Sequence, residues 1–399
     1  MKHLYSIILL LFVACLQTEA CTTAIVSGKY TSDGRPLLYK HRDTGSLQNK
    51  LMHFTDGKYS YVGIVNSTDN VGKEVWGGYN SAGFAIMNSA SYNINPTNEG
   101  NEEREGIVIK MALQRCATLA DFEKMLAELP KPMHLSANFG VIDADGGAAY
   151  YETNNMGYKK FDANDLSTAP MGYIIRTNYS FSGERSRDMG LSRYQSASDL
   201  FYKASLANGL NYKFLLQDVS RCLMHGITGV NLYDLMPDNG DKPVYYPFRD
   251  FIPRHSTSSV IVVQGVKNKK TVDQTTMWTI LGSPLTTPAM PVWLNKDEVY
   301  PSVMMAGERG NAKLCDWGLT LKKRIFPIER GEGTDYINLA SLVSKDQRGI
   351  LQRVLGIENQ ILDYSEKTIK EWGENGYTKD NLNSFYNEID KKLEEYFNL

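Results

Sequence analysis

Between Cys21 and Ser91 the chain is divided into short apolar runs by turn residues spaced too closely for helical crossovers, and this spacing restricts the fold more than any other feature. Thr22 to Ser27 is β-branched and apolar, Thr31-Ser32-Asp33-Gly34-Arg35-Pro36 is turn chemistry, and Leu37 to His41 returns as a second strand. The run predicts a hairpin. Tyr59 to Val65 and Gly83 to Asn88 read as further strands bounded by Asn, Asp and Gly. Parallel neighbours need a crossover of a dozen residues or more, so the sheet is expected to be antiparallel.

The pattern then changes period. Gly106 to Cys116 and Leu119 to Leu129 read as two helices, the second with Phe122, Met125, Leu126 and Leu129 at helical spacing and Pro130 and Pro132 as stops. Asn138 to Asp143, Gly146-Gly147 and Ala148 to Thr153 give a strand, a tight turn and a strand. Helices are expected between Tyr194 and Ala207 and near Phe214 to Met224, with strands at Val260 to Gln264 and Met277 to Leu281. Sheets in both halves with helices between them predict an α+β layered sandwich. From Lys345 to Leu399 the chain is charged and amphipathic, and reads as two helices broken at Gly373 to Tyr377, packed on the domain or in an oligomer contact.

The first twenty residues resemble a signal peptide: Lys2 and His3, an apolar stretch from Leu4 through Leu16, then Thr18-Glu19-Ala20. A cut after Ala20 makes Cys21 the first residue of the mature chain and implies export, to the periplasm or outside the cell. A rival cut stands at Phe12-Val13-Ala14-Cys15, where lipidation at Cys15 would leave a lipid-anchored protein. The organisation expected is a leader over 1–20, a domain over 21–344 and a helical extension over 345–399.

Composition excludes several partners. A formal charge of -2 gives no electrostatic reason to expect nucleic acid or an anionic membrane, and a small-molecule or peptide substrate is the better expectation. The histidines are scattered with no HExxH, and Gly77-Gly78 and Gly146-Gly147 match no phosphate-binding loop, so no metal and no cofactor are expected. Cys21, Cys116, Cys222 and Cys315 form no CxxC pattern and are expected to be mostly buried and reduced.

If Cys21 is N-terminal, one residue carries both a thiol nucleophile and an α-amine poised near neutrality as its base. Cys21-Thr22-Thr23-Ala24, Asp33-Gly34-Arg35-Pro36-Leu37-Leu38, Lys40-His41-Arg42-Asp43, Asn80 to Asn88, Asn138 to Asp143 and Arg176-Thr177-Asn178-Tyr179 resemble the linear-amide hydrolases, a cysteine N-terminal nucleophile group with penicillin V acylase, bile salt hydrolase and isopenicillin N acyltransferase branches. The resemblance covers most of residues 21 to 290. It implies a four-layer αββα sandwich of two mostly antiparallel sheets and an enzyme that cleaves or transfers linear amide bonds of a small N-acyl substrate. It also implies roles: Cys21 as nucleophile, Asp43 as the carboxylate that positions it, and Asn178 and the Asn88 region as oxyanion donors. Lys40 occupies the place of an arginine common in the group, with Arg42 beside the aspartate, and the choice between them stays open. Arg193 matches a second active-site arginine, or is an exposed helical residue. Other readings are a cysteine dipeptidase of the same broad group, a non-catalytic lipoprotein anchored at Cys15, and a Cys-His pair using His255. Trp76, Tyr79 and Tyr92 are candidates for a pocket lining or for core. A homo-oligomer is compatible with the pattern.

Overall fold

A computed structural model describes residues 20–95, 104–185, 189–373 and 376–398. Cys15 and nearly all of the leader lie outside the described residues. The hairpin forms from β1 (Thr22–Val26) and β2 (Leu37–Asp43), turned at Gly34, whose φ of +73° only glycine adopts without strain. The chain then leaves that sheet. Strands β3 (Asn49–Phe54), β4 (Tyr61–Asn66), β5 (Gly77–Asn80) and β6 (Ala85–Ala90) build a second one, completed after helices α1 (Glu105–Arg115) and α2 (Leu119–Glu128) by β7 (Ala137–Ile142), β8 (Ala148–Thr153) and β9 (Tyr158–Asp162). Next, β10 (Tyr173–Arg176) returns to the edge of β1, and helix α3 (Leu191–Leu206) follows.

A small ribbon pairs β11 (Tyr245–Pro247) with the later β15, while β12 (Thr257–Gln264), β13 (Thr276–Leu281) and β14 (Met290–Val292) finish the first sheet in the order β10-β1-β2-β12-β13-β14. The remaining elements are α4 (Lys313–Ile325), β15 (Tyr336–Asn338), α5 (Leu339–Leu342), α6 (Ile350–Trp372) and α7 (Lys379–Phe397). Every strand pairing is antiparallel, as the short links require.

Alternation along the strands sets the layers. Ile25 and Leu38 join Val62, Met87 and Ile142 in a core between the sheets. Their neighbours Ala24, Val26, Leu37 and Tyr39 point the other way, onto Ala197 and Phe201 of α3. On the second sheet, Tyr61, Ile86 and Phe139 turn outward against Ile109, Leu113 and Phe122 of α1 and α2. The result is helix, sheet, sheet, helix: a four-layer αββα sandwich. Each fully buried Leu or Ile stabilises it by roughly 1.5–3 kcal/mol. Helices α6 and α7 close over the inter-sheet core through Ile361, Leu382 and Phe385, and a wholly buried ion pair, Arg221 Nη2 to Glu358 Oε2 at 2.6 Å, fastens α6 to the body.

Two details differ from the sequence pattern. The strands between Cys21 and Ser91 belong to two sheets rather than one, because the segment after Asp43 carries the chain across to β3. The helix expected near Phe214 is a π-helical turn, Phe214–Val219, in whose widened register the Ser220 backbone N–H donates to the Leu215 carbonyl at 3.1 Å.

Candidate functional site

The three residues Cys21, Thr22 and Thr23 are fixed one by one at the start of β1. Thr23 Oγ1 donates to the Arg176 carbonyl and accepts from Tyr150 Oη at 2.8 Å, and Thr22 Oγ1 accepts from Arg193 Nη1 at 3.1 Å. The Cys21 carbonyl also accepts from Arg193 Nη1. The backbone N–H of Ala20 donates to the Asp43 carbonyl at 3.2 Å, which continues the β1–β2 ladder past the end of the strand. Thr22 pairs with His41. One step further along that register, Cys21 stands across from Arg42, and residues opposite one another in an antiparallel pair share a face.

Arg193 is the hub. It sits in the first turn of α3, buried, with Nη2 donating to Asn178 Oδ1 at 2.7 Å. The helix begins at Gly190 with φ +83°, and a Cβ there would lie 2.3 Å from Arg193 Nη2, so glycine is required both by the backbone and by the arginine crossing over it. Burial, then the charge of Arg254, pulls the Arg193 guanidinium down to about 9, against the opposing pull of Asp43 and Cys21. The alternative of an exposed helical arginine is therefore corrected: the helix N-terminus is turned inward here, onto the β1 strand.

Asp43 is completely buried at the end of β2. Its Oδ1 accepts from Thr257 Oγ1 at 2.7 Å, and Arg254 Nε stands 3.1 Å from Oδ2. His41 Nδ1 is 3.4 Å from Oδ1, close enough for charge to act but without hydrogen-bond alignment. Burial alone would raise this carboxyl, but Arg254, then His41 and Arg193, overcome it and hold it below the ordinary carboxylate range. Oδ2 has no aligned donor among the described residues.

Lys40 and Arg42 bridge the sheets. Lys40 Nζ donates to the Trp76 carbonyl and to Asn88 Oδ1, each at 2.7 Å. Arg42 Nη1 donates to Asn49 Oδ1 at 2.6 Å and Asn66 Oδ1 at 2.9 Å, and its guanidinium lies 4.4 Å over the Trp76 ring. Trp76 is thus a platform for cations, whereas Tyr79 is core, its hydroxyl donating to the Thr275 carbonyl at 3.1 Å. Asn178 Nδ2 donates to the Ala90 carbonyl at 3.1 Å.

Cys21, Lys40, Arg42, Asp43, Asn88, Asn178 and Arg193 fall within this one interlinked region. His255 does not join the contacts around Cys21: it stands edge-on to Phe326 at 5.3 Å, and burial, with the charge of Lys322, holds it down at about 4. The residues that sequence reasoning missed are Arg254 and Thr257, which flank His255 in the same Arg-His-Ser-Thr run, and Lys322 on α4. The signal available was a cation and a hydroxyl just before a strand, too common a combination to single out.

The other three described cysteines are core thiols. Burial pushes the thiols of Cys116, Cys222 and Cys315 up, to about 12, 11 and 11, as for inert core thiols, and none of the four is in a disulfide. Among the described residues no cluster of His, Cys, Asp and Glu is arranged to hold a metal, and no helix is long and apolar enough to cross a membrane.

Comparison with known proteins gives a family match over part of the chain. Residues 30–220 match the model described as acyl-coenzyme A:6-aminopenicillanic acid acyl-transferase, a span that takes in Lys40, Arg42, Asp43, Asn88, Asn178 and Arg193 and begins after Cys21. No curated protein matches the sequence. Among solved structures, a Caenorhabditis elegans N-acylethanolamine-hydrolyzing acid amidase ortholog aligns with TM-score 0.42 and 12% identity over 65% of this chain and 99% of that one. Penicillin V acylase from Agrobacterium tumefaciens gives 0.38 and 14% over 70% and 87%. A mutant of conjugated bile acid hydrolase from Clostridium perfringens gives 0.38 and 10% over 70% and 93%. Over residues 30–220, just under half of the chain, the sequence is thus similar to an acyl-transferase family.

Proposed function

We propose that the mature protein begins at Cys21, is exported, and cleaves the C–N bond of a small linear N-acyl amide through the Cys21 thiol, with its own α-amine as base. The observation that carries this reading is the buried Oδ2 of Asp43, without an aligned donor, in the residue whose backbone carbonyl receives the Ala20 N–H. A buried acceptor left short of donors calls for a partner. Removal of Ala20 takes away the N–H now on the Asp43 carbonyl and creates, one residue on, an amine with hydrogens for both oxygens.

The chemistry follows from the surroundings. Sγ attacks the amide carbonyl carbon while its proton passes to the α-amine, and the carbonyl oxygen takes the negative charge. The C–N bond then breaks, the leaving amine takes the proton, and an acyl thioester remains on Cys21. Water resolves it in a hydrolase and a second amine in a transferase. Lys40, Arg42, Arg193 and Arg254 crowd this region with positive charge around the carboxylate of Asp43, which favours negative charge on sulfur and on the tetrahedral oxygen. The register, with Arg42 opposite Cys21 and Lys40 donating to Asn88, supports Arg42 for the arginine role of the group.

Asn178 and Asn88 are the proposed oxyanion donors. An arginine or a lysine can only donate, so Arg193 and Lys40 compel each asparagine to present its oxygen to the cation and its NH2 elsewhere. The test is turnover of a panel of para-nitroanilides with acetyl, phenylacetyl and lauroyl groups by the mature chain. Release of nitroaniline that disappears in Cys21→Ala supports the reading, and release that persists in that variant refutes it.

A further inference from the structure

Lys322 stands on α4, about a hundred residues beyond the segment that matches the family. Its side chain is wholly enclosed, and its Nζ donates to one acceptor, the backbone carbonyl of Thr257, at 2.8 Å. No carboxylate lies within ion-pair distance of it among the described residues. An enclosed ammonium with so little compensation is costly, and a methionine would fill the same volume without that penalty. Such a group points to a role in a nearby site.

Thr257 shows which one. It is the first residue of β12, where the ladder to β2 slips: Thr257 pairs with Asp43 but Ser259 pairs with Arg42, so Ser258 is an inserted residue. Bulges of this kind re-aim a neighbouring side chain. Here the Thr257 hydroxyl accepts the Arg254 N–H at 2.9 Å and donates to Asp43 Oδ1 at 2.7 Å, while its carbonyl takes Lys322. One residue joins the lysine, the arginine loop and the carboxylate.

We propose that Lys322 is a positioning residue of the amide-cleaving site, acting on Asp43 through Thr257 and through its charge without touching the reacting atoms. This rests on the reading of Cys21 and Asp43 given above. Burial brings the Lys322 ammonium down to about 7, with Asp43 and then Cys315 pulling the other way, so its charge changes near neutrality. The titratable and charged groups around the pair are Asp43 and His41 from β2, Cys315 from α4, Arg254 and His255 from the loop before β12, and Arg193 from α3. With Lys322 charged, Asp43 is better neutralised and opposes the Cys21 thiolate less. With Lys322 neutral, the opposition grows.

The experiment is alkylation of Cys21 by iodoacetamide on the mature protein between pH 5 and 10, followed by peptide mass spectrometry so that Cys21 is read separately from the core cysteines. Lys322→Met is expected to raise the pH of half-maximal alkylation by about half a unit or more, and Lys322→Arg, which keeps the charge, to return it close to wild type. A midpoint unchanged in Lys322→Met overturns the inference. If circular dichroism shows that Lys322→Met is unfolded, Lys322→Gln, which can still donate to the Thr257 carbonyl but carries no charge, carries the same test, and an unchanged midpoint there overturns it equally. The two failures are distinguishable: a wild-type Cys21 that resists alkylation at every pH refutes the reading of the site, whereas a reactive Cys21 indifferent to these variants refutes only the part given to Lys322.

Discussion

Arg193 Nη2 donates to Asn178 Oδ1 at 2.7 Å, and the same guanidinium holds the Cys21 carbonyl, so the first residue of the site and its proposed oxyanion donor are set by one side chain. Because guanidinium has no acceptor, this contact decides the orientation of the Asn178 amide. Loss of a single oxyanion donor slows acyl transfer by about 10²–10³-fold. Asn178→Ala is expected to lower kcat by that order with KM little changed, and Arg193→Met to lower it at least as far, since it also releases the start of β1. Steady-state kinetics on an anilide turned over by the wild type checks both.

Asp43 is the carboxylate against which the buried cations are balanced. Asp43→Asn leaves Arg254 and Arg193 uncompensated and is expected to cost about 3–5 kcal/mol in urea unfolding at pH 7. The sign of its pH dependence follows from the lowered carboxyl. Its contribution is fully present above the unfolded-state value of about 3.9 and is lost as pH falls through the still lower folded value. The stability gap between wild type and Asp43→Asn should therefore persist from pH 7 down to pH 5 and close only in strong acid. A gap that closes between pH 6 and 7 is against this assignment.

Glu152 prepares the loop that carries Asn178. Its Oε1 accepts from Arg176 Nε at 2.7 Å and from the Phe181 N–H at 2.9 Å, and its Oε2 from the Ser182 N–H at 2.8 Å and from the Ser182 hydroxyl. Arg176 is meanwhile laid over the Phe181 ring at 3.9 Å. Glu152→Gln is expected to speed amide hydrogen exchange at Phe181 and Ser182 by 10-fold or more, since about 1.5–3 kcal/mol resides in hydrogen bonds to a charged group. Protection equal to wild type would show that the loop is held by other means.

Glu358 ties the C-terminal helices to the body. It meets both Arg221 Nη1 at 2.8 Å and Nη2 at 2.6 Å and also accepts the Ala289 N–H at 2.7 Å. Glu358→Gln leaves a buried arginine without its counter-charge, an expected loss of about 3–5 kcal/mol read by urea unfolding. A loss below about 1 kcal/mol is the value typical of exposed pairs and would contradict the burial described.

Much of this was legible in the sequence because it depends on local pattern. The Asp33-Gly34 turn and the β-branched run after Cys21 specify the β1–β2 hairpin, and the spacing of Phe122, Met125 and Leu126 specifies α2. Which sheet a strand joins is not local. Nothing between Asp43 and Asn49 announces the step from one sheet to the other, and β5 with its two glycines carries no alternation to read. The site divides in the same way. Residues close to Cys21 along the hairpin, Lys40 through Asp43, could be read from register and resemblance. Arg254, Thr257 and Lys322 reach Asp43 only because β12 lies beside β2 and α4 packs behind it, relationships set by tertiary pairing. Arg193 was ambiguous for a physical reason, since an arginine in a first helical turn usually faces solvent, whereas this one follows Gly190 at φ +83° and bonds to the start of β1.

The central claim, that an N-terminal Cys21 carries the acyl group, is tested most directly by the mass of the mature protein trapped during turnover. The exported chain is isolated, mixed for seconds with a lauroyl para-nitroanilide, quenched in acid, and analysed intact and as N-terminal peptides. The account predicts an N-terminus at Cys21 and one added lauroyl group on its sulfur, absent in Cys21→Ala. A mature chain that begins elsewhere, or an acyl group on any other residue, contradicts it.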